Sequence, residues 1–124
     1  SKEANLSVSV GSTTYPDITD CKVSMKRSSD DTVEVTLKGL SNLNKSETGK
    51  GMNLGDFTVT DVKVTSADNS TFKIEGSISA TDTNNTKITG TISGTVTNSE
   101  ANITFTFKPG AMPIDITAQF KGKK

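Results

Sequence analysis

Leu6, Val8 and Val10 alternate with Ser7 and Ser9 near the start of the chain, and the same two-residue period returns at intervals to its end. Cys21, Val23 and Met25 alternate with Lys22, Ser24 and Lys26, and Val33, Val35 and Leu37 with Glu34, Thr36 and Lys38. Phe72, Ile74, Gly76, Ile78 and Ala80 share one parity, as do Ile88, Gly90, Ile92, Gly94 and Val96. Ile103, Phe105 and Phe107 precede a Pro109-Gly110 break, and Met112, Ile114, Ile116, Ala118 and Phe120 follow it. Successive side chains of a strand point to opposite faces, so this period predicts half-buried strands with one dry and one wet face. The polar stretches 28–31, 67–70, 82–85 and 98–100 read as turns, because short polar side chains there bond their own backbone.

One segment breaks phase. Phe57 and Val59 hold one parity, and Val62 and Val64 hold the other. A one-residue slip flips the buried face unless a bulge absorbs it, so a bulge or sharp bend is predicted at Thr60-Asp61. The longest irregular piece, residues 41–54, lies just before. The pattern predicts eight strands and no helix. Strands joined in order by short turns pair antiparallel, and closure on itself is what removes both open edges of such a sheet. The expectation is an all-β, eight-stranded antiparallel up-and-down β-barrel, with residues 1–124 forming a single domain. A two-sheet sandwich is the competitor, and residues 41–54 are its candidate crossover. A barrel of eight strands is just wide enough to be filled by side chains or to hold one small ligand.

Composition narrows the chemistry. A chain of 124 residues suits one core. Its apolar content of 31% is lean, but the strict period argues against disorder. Lys plus Arg and Asp plus Glu both number 14, so no net field draws the chain to nucleic acid. There is no histidine, which excludes Ser-His-Asp and Cys-His catalysis and any imidazole metal site. A carboxylate pair is the remaining enzymatic route. Glu34, Glu75 and Asp115 lie on the outward parity, and Asp61, at the slip, is the carboxylate that could face inward. The turn acids at Asp17, Asp20, Asp30, Asp31 and Asp82 lack calcium-loop spacing. Catalysis, a metal and a cofactor are therefore not expected. Cys21, the one cysteine, sits on the apolar phase and reads as a small buried hydrophobe. No apolar run approaches the ~20 residues that span a bilayer as a helix. Tyr15 is the aromatic clearly placed in a loop, where a sugar platform would need one.

Gly76, Gly90 and Gly94 fall on the inward parity of two adjacent strands. Glycine in a strand costs roughly 0.5–1 kcal/mol relative to alanine, so it answers a geometric need. One such need is to curl a tight barrel. The other is a dent in the filling that admits a ligand, with Met25, Phe72 and Phe105 as its walls.

The segments Thr32-Val33-Glu34-Val35-Thr36-Leu37, Leu54-Gly55-Asp56 with Val62-Lys63-Val64, and Met112-Pro113-Ile114-Asp115-Ile116 with Phe120-Lys121-Gly122 carry a family likeness. Through them the chain resembles, over nearly its whole length, the calycin-like (lipocalin-like) β-barrel domains of secreted proteins and lipoproteins from gut anaerobic bacteria. The resemblance implies an eight-stranded barrel and export to the periplasm or the outer-membrane and cell surface; it implies no activity. Two functions from different classes follow. The first is a non-catalytic module binding a small apolar ligand in or at the mouth of the barrel, with Met25, Phe72, Gly76, Gly90, Gly94 and Phe105 as the site and residues 41–54 as a lip. The second is a surface interaction domain with a filled barrel whose loops contact a protein or glycan. An enzyme is a distant third.

Overall fold

The computed structural model describes residues 3–45 and 52–123. They form one antiparallel sheet curled on itself. Its strands are β1 (Glu3–Val10), β2 (Thr13–Thr14), β3 (Lys22–Arg27), β4 (Thr32–Lys38), β5 (Phe57–Ser66), β6 (Phe72–Thr81), β7 (Lys87–Val96), β8 (Glu100–Pro109) and β9 (Ile116–Lys123). The order across the sheet is β2-β1-β9-β8-β7-β6-β5-β4-β3. Sequence neighbours pair from β3 to β9, and β9 then pairs with β1, as in an up-and-down barrel. The eight long strands are those the alternation predicts.

The ninth strand lies in the stretch read as a polar connection. Tyr15 and Ile18, two apolar residues in a polar run, are buried and draw residues 13–18 back along β1. Tyr15 N–H donates to Val8 O at 3.0 Å, and Leu6 and Ile18 exchange bonds of 2.8 and 2.9 Å. Burial of the Tyr15 ring removes it as an exposed sugar platform. The expected full closure is also corrected: among the described residues β3 is a sheet edge, paired with β4 and with no second strand.

Parity assembles the core in rows. Gly76, Ile92, Phe105, Ala118 and Val8 stand opposite one another across five strands. Flanking rows run Ile78-Gly90-Phe107-Ile116-Val10 and Ile74-Gly94-Ile103-Phe120-Leu6. Each row sets at least one small residue, Gly76, Ala118, Gly90 or Gly94, beside larger ones, which lets the rows interlock at interior density. Phe57 adds an edge-on ring contact to Phe105, with centroids 6.0 Å apart, and another to Phe107 at 5.4 Å. Burying each such ring contributes roughly 1.5–3 kcal/mol.

The phase slip is a bulge. Val33 pairs with Val62 and Val35 with Val59, so Thr60 and Asp61 together face one residue of β4. Asp61 takes φ 58°, a left-handed conformation that Asp tolerates better than most residues. The extra residue keeps Phe57, Val59 and Val62 all buried and turns Asp61 out to solvent. Asp61 therefore does not face inward. The last hairpin differs in one respect: β9 begins at Ile116, and Ile114 sits 49% exposed in the connection. Pro113 supplies no N–H for a ladder there.

Candidate functional site

The two ends of the barrel are finished differently. At one end the connection from β4 to β5 carries leucines. A 3-10 turn, Leu40–Lys45, has three residues per repeat, so Leu40 and Leu43 point the same way, and both are buried. Leu54 joins them. Asn44 clips this plug in place: its side chain accepts from Leu54 N–H at 3.1 Å and donates to Leu54 O at 3.0 Å. Residues 40–45 and 52–54 are thus a plug, not a lip, and residues 46–51 of the expected lip lie outside the described residues.

The β6–β7 turn is fastened to the same plug by Asp82, a buried carboxylate. Its Oδ1 accepts from the backbone N–H of Asn84 at 2.9 Å and of Thr86 at 2.8 Å, and its Oδ2 accepts from Gly55 N–H at 3.0 Å. Both carboxylate oxygens accept from backbone N–H groups, so Asp82 acts as a structural lock.

Among the described residues the opposite end has no such plug. Its turns, 28–31, 67–71 and 97–99, are short, polar and exposed or half-buried. Here the barrel opens into a hollow of about 350 Å3 between β3 on one wall and the ends of β7, β8 and β9 on the other. Val23, Met25, Val96, Ala101 and Phe120 line it, with Glu100 and Thr97 as polar neighbours. Phe120 is buried and forms part of the lining, whereas Met25 is 36% exposed. A second hollow of about 150 Å3 shares Met25 and Val96 and extends to Val64, Phe72 and Ile74. Phe72 is 39% exposed. A methionine and a phenylalanine thus stand partly open beside each other on an apolar hollow.

Of the six residues expected to form a ligand site, the structure brings Met25 and Phe72 to this mouth. Phe105 lies in the filled centre, fully buried. Gly90 and Gly94 do not leave a dent. A β-carbon on Gly90 would fall 2.0 Å from Thr106 O, and one on Gly94 would fall 2.3 Å from Asn102 O. The space is taken by the backbone of β8, so these glycines let β7 and β8 bend together. At Gly76 the nearest atom is Val62 Cα at 3.4 Å. Val23, Val96, Ala101 and Phe120 were missing from the sequence-based site. Their parity marked them as inward, but parity does not say which end of the barrel stays open.

Cys21 is half-buried, and its thiol donates to Ile18 O at 3.5 Å. Burial, with a contribution from the Asp20 carboxylate, pushes the thiol pKa up. The thiolate fraction near neutral pH is therefore smaller than that of free cysteine. Alkylation by iodoacetamide is expected to be slower than for glutathione at the same pH, with the rate rising at higher pH than for the free thiol. Rapid labelling at pH 7 would show Cys21 to be reactive after all.

Among the described residues no group of three or more Cys, Asp or Glu side chains is placed to hold a metal ion, and no helix is long and apolar enough to cross a membrane. The profile of the Calycin-like beta-barrel domain family matches residues 3–123. The crystal structure of a putative outer membrane protein from Bacteroides fragilis is 88% identical in sequence and superposes with a TM-score of 0.91. The match covers 98% of this chain and 48% of that one, so this chain spans about half the length of its solved neighbour. No curated protein matches the chain.

Proposed function

This chain belongs to the calycin-like β-barrel domain family, and from that premise we propose that it is a non-catalytic binding module of the bacterial envelope which holds an apolar group in the open mouth of its barrel. The observation that carries this reading is the apolar hollow of about 350 Å3 at the unplugged end, with Met25 half-open on its rim. That volume lies at the lower end of the range for small-ligand sites. The rows of core side chains fill the barrel behind it, which limits a ligand to the mouth. Methionine suits such a rim, since its unbranched thioether adapts to different apolar shapes. The absence of histidine and the outward carboxylates support a role without catalysis. The neighbour described as an outer membrane protein supports export to the periplasm or outer-membrane surface.

A fluorescence titration with N-phenyl-1-naphthylamine tests the mouth. The dye is expected to brighten and shift to the blue on binding, and Met25→Glu is expected to weaken binding at least about tenfold by placing a charge in the apolar seat. Met25 is at the surface, so the melting temperature should move little. Dye binding that Met25→Glu leaves unchanged would move the site elsewhere. No dye binding, together with no added mass on protein purified from its own host in native mass spectrometry, would end the reading.

A further inference from the structure

The sheet has two edges, and the fold treats them differently. β1 is covered by residues 13–18, which take up the hydrogen bonds of Leu6 and Val8. β3 is left bare. Which of its groups are free follows from the ladder. Ser28 N–H donates to Thr32 O at 3.0 Å, so 28 and 32 form a hydrogen-bonded pair. Antiparallel pairs alternate, so Lys26 with Glu34, Ser24 with Thr36 and Lys22 with Lys38 are bonded pairs as well. The N–H and C=O groups of Val23, Met25 and Arg27 therefore point away from β4, off the open edge. Val23 and Met25 are the residues whose side chains line the mouth. Free backbone and apolar seat are on the same three-residue step of the chain.

Charge selects what can fit. Lys22 and Lys26 project from the outer face of β3 and are exposed, and Arg27 ends the strand. Lys26 faces Glu34 across the ladder, but Lys22 faces Lys38, a like-charged pair that costs stability. Among the described residues the ion pair within 4 Å is Lys108–Asp115, so neither Lys22 nor Lys26 is in one. A second copy pairing through its own β3 would set these cations against each other, which is how lysines guard an edge against self-association.

We propose that β3 is a strand-addition site for an extended peptide in which apolar and acidic residues alternate. The peptide backbone pairs with Val23, Met25 and Arg27. Its apolar residues enter the mouth beside Met25 and Phe120, and its acidic residues lie outside, next to Lys22 and Lys26. Backbone bonds give affinity and the alternating side chains give specificity, as in other strand additions. The proposal rests on the mouth reading for its side-chain seat, and on the free edge for everything else.

The test is fluorescence anisotropy with a short fluorescein-labelled peptide in which valine and glutamate alternate. Saturable binding is expected, at least about tenfold weaker for the valine–lysine counterpart, since like charges would then line the edge. N-methylation of the peptide amides that face β3 should abolish binding without changing side chains. Val23→Pro removes one edge N–H that β4 does not use, a position where proline is tolerated in a strand; Val23→Ala keeps it. The first should lose the peptide, whereas the second, which trims the apolar seat but keeps the N–H, should weaken binding only in part. Equal binding of the N-methylated peptide, equal binding of the valine–lysine peptide, or a dimer through β3 in sedimentation would each overturn the proposal, and the N-methylated arm decides even where Val23→Pro unfolds. Dye binding without peptide binding overturns strand addition and leaves the mouth reading intact; loss of both overturns both.

Discussion

Gly90→Ala is expected to lower the melting temperature by roughly 12 °C, corresponding to about 3 kcal/mol in a chain of this size. The added β-carbon would meet Thr106 O at 2.0 Å and Phe107 Cα at 2.6 Å. Both are backbone atoms of β8, held in the ladder that pairs Gly90 with Phe107. A flexible side chain could swing away; a paired strand moves only by breaking its bonds to β7 or to β9 beyond it. The clash therefore propagates along the row Ile78-Gly90-Phe107-Ile116. Gly76→Ala provides the control, because the same change of residue there brings Cβ to 3.4 Å from Val62 Cα, ordinary contact. With no clash to absorb, alanine should be neutral or stabilise by up to about 1 kcal/mol through lower unfolded-chain entropy. Thermal unfolding of the two variants side by side separates the effects. Equal stability of Gly90→Ala and the parent would mean that β8 does not approach β7 this closely.

The contrast between these two glycines marks how far the sequence could be read. Side-chain parity placed the strands, the core rows and the bulge at Thr60-Asp61, because all three depend on which face a residue takes. It could not place backbone against backbone. Gly76 and Gly90 look alike in the pattern, yet one has a methyl's worth of room and the other has none. Parity is equally silent about the ends of a barrel. Leu40, Leu43 and Leu54 belong to no strand, so their period does not announce a plug, and the expectation of a lip followed from the polar residues between them. Tyr15 and Ile18 were the signal for the cover on β1: a buried pair three residues apart in a polar run. Met25 and Phe72 were legible as apolar and inward, and the structure adds that both stand at the one unplugged end. The open edge at β3 was hidden because alternation in β3 is the same whether its far side is paired or bare.

Asp82→Ala is expected to cost about 3–4 kcal/mol, the second large effect. Three backbone N–H groups, of Gly55, Asn84 and Thr86, lose a charged acceptor together. A hydrogen bond to a charged group contributes about 1.5–3 kcal/mol, and a donor left buried without a partner costs a further part of its desolvation. The three losses do not simply add, since water can enter the vacated space and satisfy part of the set. Two of the bonds are local turn chemistry, of the kind that short polar residues predict. The third joins positions 27 apart in sequence and ties the β6–β7 turn to the plug. Thr83 reinforces it by accepting from Asp56 N–H through its hydroxyl at 3.0 Å. Asp82→Asn keeps one acceptor oxygen and turns an N–H toward a donor, so it should lie between the parent and alanine, at a loss of about 2 kcal/mol. Urea unfolding gives the magnitudes, and amide hydrogen exchange gives the place: protection of Gly55 N–H should fall in both variants more than that of Phe105 in the core. A loss below 1 kcal/mol for Asp82→Ala, or unchanged protection at Gly55, would show that the plug holds without its lock. The mouth lies at the far end of the barrel, so a folded Asp82→Asn should bind apolar probes there as the parent does, which keeps the stability of the closed end separate from the function proposed for the open one.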